Sequence, residues 1–417
     1  MGRGDVVDRV LEDERVRALR DELEDWRTTG AAVSDLVDAE GHQYVDLVME
    51  GGGVLGVALV GYTWALETAG IRFLGIGGTS AGAINALLLS ALARPSEAGS
   101  ERVLGALAEA NLWSFVDGGE PAREFVKALG SGKTWKILLT GAFVAGKVAR
   151  DLGLNPGDVL EAWLERALAD VDARTVDDLS RRRVLPPLSL RAEDGARSPV
   201  DPADVRSRLA LITAEVTTES KVELPRMARM LFADPGAQSP ASFVRASMSI
   251  PGLFRPVRVA VPRDPDTERA WRELNRTYRG RIPDEVVLVD GGIVSNFPID
   301  LFHVPDAVPR APTFGVKLGT DREEAAEVDG VFSFLGAMFD TARHAADLSF
   351  LQDNPDYRHL VATILTGEHD WLNFEMTVRE QADLFRRGAA AARDFLLGFD
   401  WGRYKDVRRS LLTCPVG

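Results

Sequence analysis

The sequence predicts an α/β fold in which a mostly parallel central sheet is flanked by helices. Residues 44–93 alternate short apolar runs with helical patterns, in the order strand, helix, strand, helix. Glycines end each of the two predicted strands, at 51–53 and at 77–78. Strands that alternate with helices are typical of parallel sheets, because a helical crossover returns the chain to run in the same direction.

The remaining elements follow in order along the chain. Apolar residues at helical spacing over 5–26 predict an amphipathic helix, and apolar runs predict strands at 209–216, 286–289 and 314–318. Residues 192–206 are rich in Pro, Asp, Arg and Ser, which predicts a surface loop. From the last of these strands to Leu397 we expect mostly helix.

The chain is expected to form one catalytic body with additions at both ends. The predicted parts are an N-terminal amphipathic helical extension (1–42), a catalytic domain (43–400) and a C-terminal tail (401–417). Within the catalytic domain, residues 100–185 predict a helical region. Residues 262–284 are a polar, arginine-containing insertion, which is more typical of a solvated helix than of a lipid-binding surface because acids are interspersed with the arginines.

Composition restricts the partners and the compartment. The 417 residues carry 63 acidic and 49 basic side chains, a formal net charge of −14, which disfavours a nucleic-acid partner. Cys414 is the single cysteine, so no intrachain disulfide can form, as suits a reducing compartment. The first 30 residues lack the apolar core of a signal peptide. The longest apolar run, 81–93, is shorter than the ~20 residues that span a bilayer. We therefore expect a cytoplasmic protein without a transmembrane segment, peripheral at membranes.

A serine between the second predicted strand and its helix is the strongest chemical signal. Gly78-Thr79-Ser80-Ala81-Gly82 fits the pattern G-x-S-x-G of a nucleophile elbow. In such a turn the serine has strained dihedral angles, and its neighbours must be small. The following helix begins beside the serine and favours developing negative charge. Ser80 is therefore the candidate nucleophile.

The glycine run at 51–56 has two interpretations. It fits G-x-G-x-x-G between a strand and a helix, which is the context of a dinucleotide-binding loop. Such a site also needs an acidic residue at the end of the second strand, and here that strand ends at Gly77 without one. The free N–H groups of Gly51, Gly52 and Gly53 could instead form an oxyanion hole, which we favour.

Asp290 is the preferred general base for Ser80. It follows the apolar run 286–289 and precedes Gly291-Gly292, so its carboxylate should project from a strand end. A Ser–His–Asp triad remains an alternative, with Asp290 as the orienting acid. Its base would be a histidine later in the chain than Asp290. None of the five histidines lies in a recognisable strand-end motif: His42, His303, His344, His359 and His369.

The glycine loop, the elbow and the Asp290-Gly291-Gly292 motif, in this order, resemble the patatin-like phospholipase family. Further similar segments are 153–163, 244–256 (sequence VRASMSIPGLFRP) and 372–397. The resemblance therefore covers about residues 44–397. One departure is Leu55, where many members carry Arg or Lys. The resemblance implies a three-layer sandwich of the patatin type.

The resemblance also implies a mechanism. Ser80 would be the nucleophile and Asp290 the base of a dyad, and Gly51, Gly52, Gly53 and Val54 would supply oxyanion donors. Gly78, Gly82, Gly291 and Gly292 would be motif glycines. The expected activity is phospholipase A or lysophospholipase hydrolysis of fatty-acyl esters at a membrane or micelle surface, with no metal and no cofactor. The oligomeric state stays open.

Overall fold

The computed structural model describes residues 3–130, 146, 150–192, 194–275, 277–319 and 350–413. His344 and Cys414, named above, lie outside these residues. The fold is α/β with a mixed central sheet flanked by helices, so the predicted fold class is confirmed. Its parallel strands form the centre of the sheet, and antiparallel strands extend it.

The described strands are β1 (Leu36–Val37), β2 (Gln43–Met49), β3 (Ile71–Thr79), β4 (Gly153–Asn155), β5 (Ser189–Arg191), β6 (Arg197–Pro199), β7 (Arg208–Glu215), β8 (Ser220–Leu224), β9 (Gly252–Phe254), β10 (Val257–Ala260), β11 (Glu285–Asp290), β12 (Thr313–Leu318) and β13 (Val361–Ile364).

The described α-helices are α1 (Arg3–Leu11), α2 (Glu14–Thr28), α3 (Gly56–Thr68), α4 (Ala81–Leu92), α5 (Ser100–Glu109), α6 (Glu120–Gly130), α7 (Asp158–Ala169), α8 (Val176–Arg182), α9 (Pro240–Ser247), α10 (Pro265–Leu274), α11 (Val378–Gly398) and α12 (Trp401–Thr413).

Five parallel strands form the centre of the sheet, in the spatial order β13, β12, β2, β3, β7. β2, β3 and β7 are almost wholly buried, as strands covered by helices on their faces must be. β8 and β11 pair with β7 in the antiparallel direction, and β10 extends β11. On the other side β1, β5 and β6 continue antiparallel from β2. β4 and β9 form a separate two-stranded sheet.

The two helices that follow the glycine-rich turns are buried all round. Every residue of α4 is buried, and α3 is buried over Gly56–Glu67. α11 crosses α3 in backbone contact, because a Cβ at Gly61 or Gly388 would overlap carbonyl groups of the other helix. These helices fix the two turns that carry the site.

The ends of the chain are more ordered than expected. α1 and α2 bury Val10, Val16 and Leu23 in the main core. Residues 401–413, predicted as part of a tail, form α12, since Trp401 is 2% exposed and donates a 2.7 Å hydrogen bond to Asp35. The boundaries at 42/43 and 400/401 remain predictions.

Several local predictions are corrected by pairing partners distant in sequence. β3 runs through Gly77 and Gly78 to Thr79, because both glycines pair with β2 and β7. β13 interrupts the stretch that was expected to be helical, and β6 lies in the predicted loop. The insertion 262–284 contains α10, which is anchored by Trp271 through a 2.8 Å bond to the Met230 carbonyl. No helix among the described residues is long and apolar enough to cross a membrane.

Candidate active site

Ser80 occupies a strained turn between β3 and α4. Its dihedral angles are φ 54° and ψ −119°, a left-handed conformation that a side chain adopts only at a cost of about 1–3 kcal/mol. The glycines of the motif allow this turn. A Cβ at Gly78 would lie 2.6 Å from the Gly82 carbonyl carbon, and one at Gly82 would overlap the Met49 carbonyl oxygen. The predicted elbow is thus present in the backbone.

The N–H and the hydroxyl of Ser80 contact the last residue of α9 and the residue that follows it. The Ser80 N–H donates to the Ser247 Oγ at 3.0 Å, and the Ser80 Oγ lies 3.2 Å from the Met248 Sδ. The serine is 5% exposed, and Met248 is 6% exposed. A thioether is a weak acceptor, so Met248 leaves the hydroxyl reactive while screening it from water.

The topology of β7 brings Ser80 and Asp290 together. Each residue from Leu211 to Glu215 of β7 has two partners, one of which belongs to β8. A strand residue has one partner on each edge, so β3 and β11 share the edge opposite β8. They approach each other along it and end at neighbouring positions, since Thr79 pairs with Ile212 and Asp290 pairs with Thr213. Ser80 therefore follows β3 where β11 ends in Asp290.

Asp290 is held rigidly at its strand end. It is 2% exposed, and its Oδ1 accepts the Gly292 N–H at 2.7 Å in the turn after β11. Its own N–H donates to the Ser249 carbonyl at 2.9 Å. Gly291 must lack a side chain, because a Cβ there would overlap the Ile212 carbonyl oxygen. The two glycines after Asp290 thus serve different purposes, one to bond the carboxylate and one to fit beside β7.

Three consecutive residues join the nucleophile to the acid. Ser247 holds the Ser80 backbone, Met248 contacts the Ser80 hydroxyl, and Ser249 holds the Asp290 backbone. Sequence analysis found this segment only as part of a family-like stretch and gave it no role. No local pattern connects Ser247 to Ser80, which are 167 residues apart.

The glycine loop lies against Ser80, but not all of its N–H groups are available. A Cβ at Gly51 would lie 3.1 Å from the Ser80 Cβ. The Gly51 N–H donates to the Asn296 carbonyl at 3.1 Å, and the Val54 N–H donates to the Trp371 carbonyl at 3.1 Å. Gly51 and Val54, two of the four predicted oxyanion donors, therefore already have acceptors for their N–H groups. Within the described chain no group accepts from Gly52 or Gly53, so the candidate donors are these two N–H groups.

Two other side chains fix the loop. The Asn296 amide donates to the Gly51 carbonyl at 3.1 Å and to Glu50 at 3.2 Å, which links the loop to the segment after Asp290. Leu55 is 7% exposed and belongs to the main core. Its apolar side chain therefore packs inward.

An apolar cavity begins at the loop and at Met248. Its lining includes Gly53, and it continues between the first turns of α3 and α4. Aliphatic and aromatic side chains form most of its wall, which consists of Gly53, Val54, Gly56, Val57, Ala81, Ile84, Asn85, Leu107, Leu112, Phe115, Met248, Ile250, Phe254, Trp371 and Phe374. The lining is thus apolar, as the binding site of a hydrocarbon chain beside Ser80 would need to be.

Three of the four described histidines have side-chain partners other than Ser80. His42 lies 3.0 Å from Asp38, His303 lies 2.8 Å from the Tyr357 hydroxyl, and His369 lies 3.1 Å from Asp383. Burial lowers the pKa of His303. His359 is exposed at the end of a short 3-10 turn. None of these four is hydrogen-bonded to Ser80. In the described part of the chain, no group of three or more His, Cys, Asp and Glu side chains is arranged to hold a metal.

Comparison with known proteins adds a family. A family model described as patatin-like phospholipase matches residues 47–303, which include the glycine loop, Ser80 and Asp290. The uncharacterized protein YqhO of Bacillus subtilis (strain 168) is 27% identical over 355 residues, which are 85% of this chain and 98% of that protein.

Two solved structures are also similar. VipD from Legionella pneumophila has 17% sequence identity and a TM-score of 0.35, over 88% of this chain and 70% of that chain. The complex of SpcU with ExoU from the type III secretion system of Pseudomonas aeruginosa has 17% identity and a TM-score of 0.34. The match covers 85% of this chain and 53% of the matched chain.

Proposed function

Since the chain belongs to the patatin-like phospholipase family, whose members are lipid acyl hydrolases, we propose that it cleaves fatty-acyl esters through an acyl-enzyme on Ser80. The observation that carries the proposal is the convergence of β3 and β11 on one edge of β7. It brings a serine in a strained elbow next to a buried carboxylate. Nucleophile and base side by side are the requirement for covalent acyl transfer.

The reaction has two steps. Ser80 Oγ attacks the ester carbonyl carbon, and its proton passes to the Asp290 carboxylate. Asp290 then gives that proton to the departing alcohol. In the second step water attacks the acyl-enzyme and loses a proton to Asp290, which returns it to the Ser80 Oγ as the fatty acid leaves. The geometry supports a dyad over a Ser–His–Asp triad, because Ser80 lies beside a strand end that carries Asp290, while His42, His303 and His369 have other partners and His359 is exposed.

The negative charge of the tetrahedral intermediate would be met by the loop. Gly52 and Gly53 offer N–H groups without acceptors in the described chain, at the N-terminal side of α3. Donors fixed before the reaction lower the barrier because they need no reorganisation when the charge develops. Only the intermediate, and not the flat ester, places its oxygen at such a site.

The acyl chain would lie in the apolar cavity, with its carbonyl at Ser80 and its tail toward Leu107 and Phe115. This supports a phospholipase A or lysophospholipase activity at a lipid surface. The same lining disfavours the nucleotide alternative, because a phosphate needs several free donors or cations, whereas the Gly51 and Val54 N–H groups are engaged.

The decisive experiment compares the wild-type protein with Ser80→Ala on a panel of phospholipids, lysophospholipids and neutral acyl lipids. We expect Ser80→Ala to lose at least about 10³-fold in kcat while remaining folded, since alanine fits the elbow. Ser90→Ala is the matched control, because it removes another buried hydroxyl of α4 that has no hydrogen-bond partner. Retention of more than about a tenth of the wild-type rate by Ser80→Ala would contradict Ser80 as the nucleophile.

A further inference from the structure

The hydroxyl of Ser247 holds the strained elbow from outside the turn. Ser247 is 0% exposed and lies at the C-terminal end of α9. Its Oγ accepts the Ser80 N–H at 3.0 Å and donates to the Ile212 carbonyl at 2.6 Å. The donated proton fixes the orientation of the hydroxyl, so a lone pair faces the Ser80 N–H. One side chain thus links the nucleophile's backbone to β7.

The hydrogen bond from Ser247 to Ile212 lies where two strands meet. Ile212 is the β7 residue that pairs with Thr79, and the following residue, Thr213, pairs with Asp290. Ser247 therefore bonds to the strand at the point where β3 and β11 meet. The opposite side of the elbow is constrained by Gly51, since a Cβ there would lie 3.1 Å from the Thr79 carbonyl oxygen. The peptide between Thr79 and Ser80 is fixed between these two neighbours.

Without Ser247, the elbow would have a reason to relax. The Ser80 N–H is buried, and a buried donor without an acceptor is unfavourable. A left-handed serine at φ 54° also has no intrinsic preference for this conformation. Rotation of the peptide between Thr79 and Ser80 would expose the N–H to another acceptor and would relieve the left-handed backbone. The same rotation would move the Ser80 hydroxyl away from the reacting geometry. A displacement of about 1 Å at a nucleophile costs on the order of 10²-fold in rate.

We infer that Ser247 is a positioning residue for the reaction proposed above: its hydroxyl keeps Ser80 in the attacking conformation without touching the substrate. The inference rests on the proposed function, and it predicts a loss in kcat rather than in KM. The cavity that would hold the acyl chain does not include Ser247, so substrate binding is left unchanged.

The test uses Ser247→Ala and Ser247→Cys in the full chain. Cysteine has the shape of serine and is slightly larger, but its sulfur is a weak acceptor, so it fills the site while weakening the hydrogen bond. Ser242→Ala is the matched control, because that hydroxyl of the same helix donates to the Ser239 carbonyl at 2.8 Å, within its own first turn. Folding is checked by circular dichroism and thermal unfolding.

Two assays are used. The first measures kcat and KM on one soluble ester, and the second measures the rate of Ser80 labelling by a fluorophosphonate. We expect both Ser247 variants to lose about 10–100-fold in kcat and in labelling rate, with KM unchanged and with Ser242→Ala equal to wild type. Wild-type kcat in a folded Ser247→Ala or Ser247→Cys overturns the inference. If Ser247→Ala does not fold, the cysteine variant alone decides. Absence of turnover and labelling in the wild-type protein would instead contradict the proposed function.

Discussion

Replacing one glycine of the loop, but not its neighbour, should abolish activity. Gly53 has φ +56°, and a Cβ there would overlap the Trp371 carbonyl oxygen, a backbone atom that cannot move alone. Gly52 has φ −171°, an extended conformation that any residue adopts. A Cβ at Gly52 would lie 2.6 Å from the Leu318 Cδ1, the tip of a flexible side chain. Gly53 therefore needs a conformation that favours glycine and Gly52 does not, although both are proposed oxyanion donors.

The magnitude follows from this difference. An alanine at Gly53 costs roughly 1–2 kcal/mol for its left-handed conformation, and it also needs the loop to move away from Trp371. That movement would turn the Gly53 N–H, and one lost oxyanion donor costs about 10²–10³-fold in rate. At Gly52, alanine needs only a rotamer change of Leu318, so we expect a loss of at most about 10-fold.

The assay is kcat/KM of Gly53→Ala and Gly52→Ala on one soluble ester, with thermal unfolding measured on the same samples. The Gly52 variant serves as the control for general disturbance of the loop. The reasoning would be refuted by a folded Gly53→Ala enzyme that is as active as Gly52→Ala. It would also be refuted if Gly52→Ala were the more damaging change.

Two further outcomes are expected. Asp290→Asn should lose at least about 10³-fold in kcat/KM while His303→Ala and His369→Ala keep most of it, because asparagine cannot accept the proton; a folded histidine variant as inactive as Asp290→Asn would contradict the dyad. Burial raises the pKa of Asp46 to about 7, above its unfolded value, so the native state binds this proton more tightly and stability falls as pH rises through about 7. Asp46→Asn should therefore raise the unfolding temperature relative to wild type more at about pH 8 than at about pH 5; a pH-independent difference would contradict this.

The elements around the site could be predicted because their signals are local. β2 ends, α3 begins and α4 begins within two residues of a glycine, and their predicted bounds differ from the observed ones by a few residues. The fold class followed from the same alternation. β3 was predicted too short, because glycines usually end strands, whereas here Gly77 and Gly78 are strand residues that let neighbouring backbone approach.

Elements stabilised by distant partners could not be predicted in this way. β13 has four residues and pairs in parallel with β12, about 45 residues earlier in the chain. α12 was expected as a tail, yet Trp401 and Lys405 both bond to Asp35 at the other end of the chain. A polar, charged sequence of this kind gives no sign of its partner. Tertiary contacts decide the structure of such segments.

In the candidate site, too, local signals could be predicted and contacts between distant residues could not. Ser80 and Asp290 each lie in a recognisable turn, so sequence alone named them, but their proximity depends on which edge of β7 each strand occupies. β8 fills one edge along Leu211–Glu215, and this leaves the other edge to β3 and β11 together. Two strands of opposite direction can share an edge only if both stop where they meet. The carboxylate thus lies on the same edge of β7 as the serine, and no described histidine is hydrogen-bonded to Ser80, which is the arrangement that the proposed Ser80–Asp290 dyad needs.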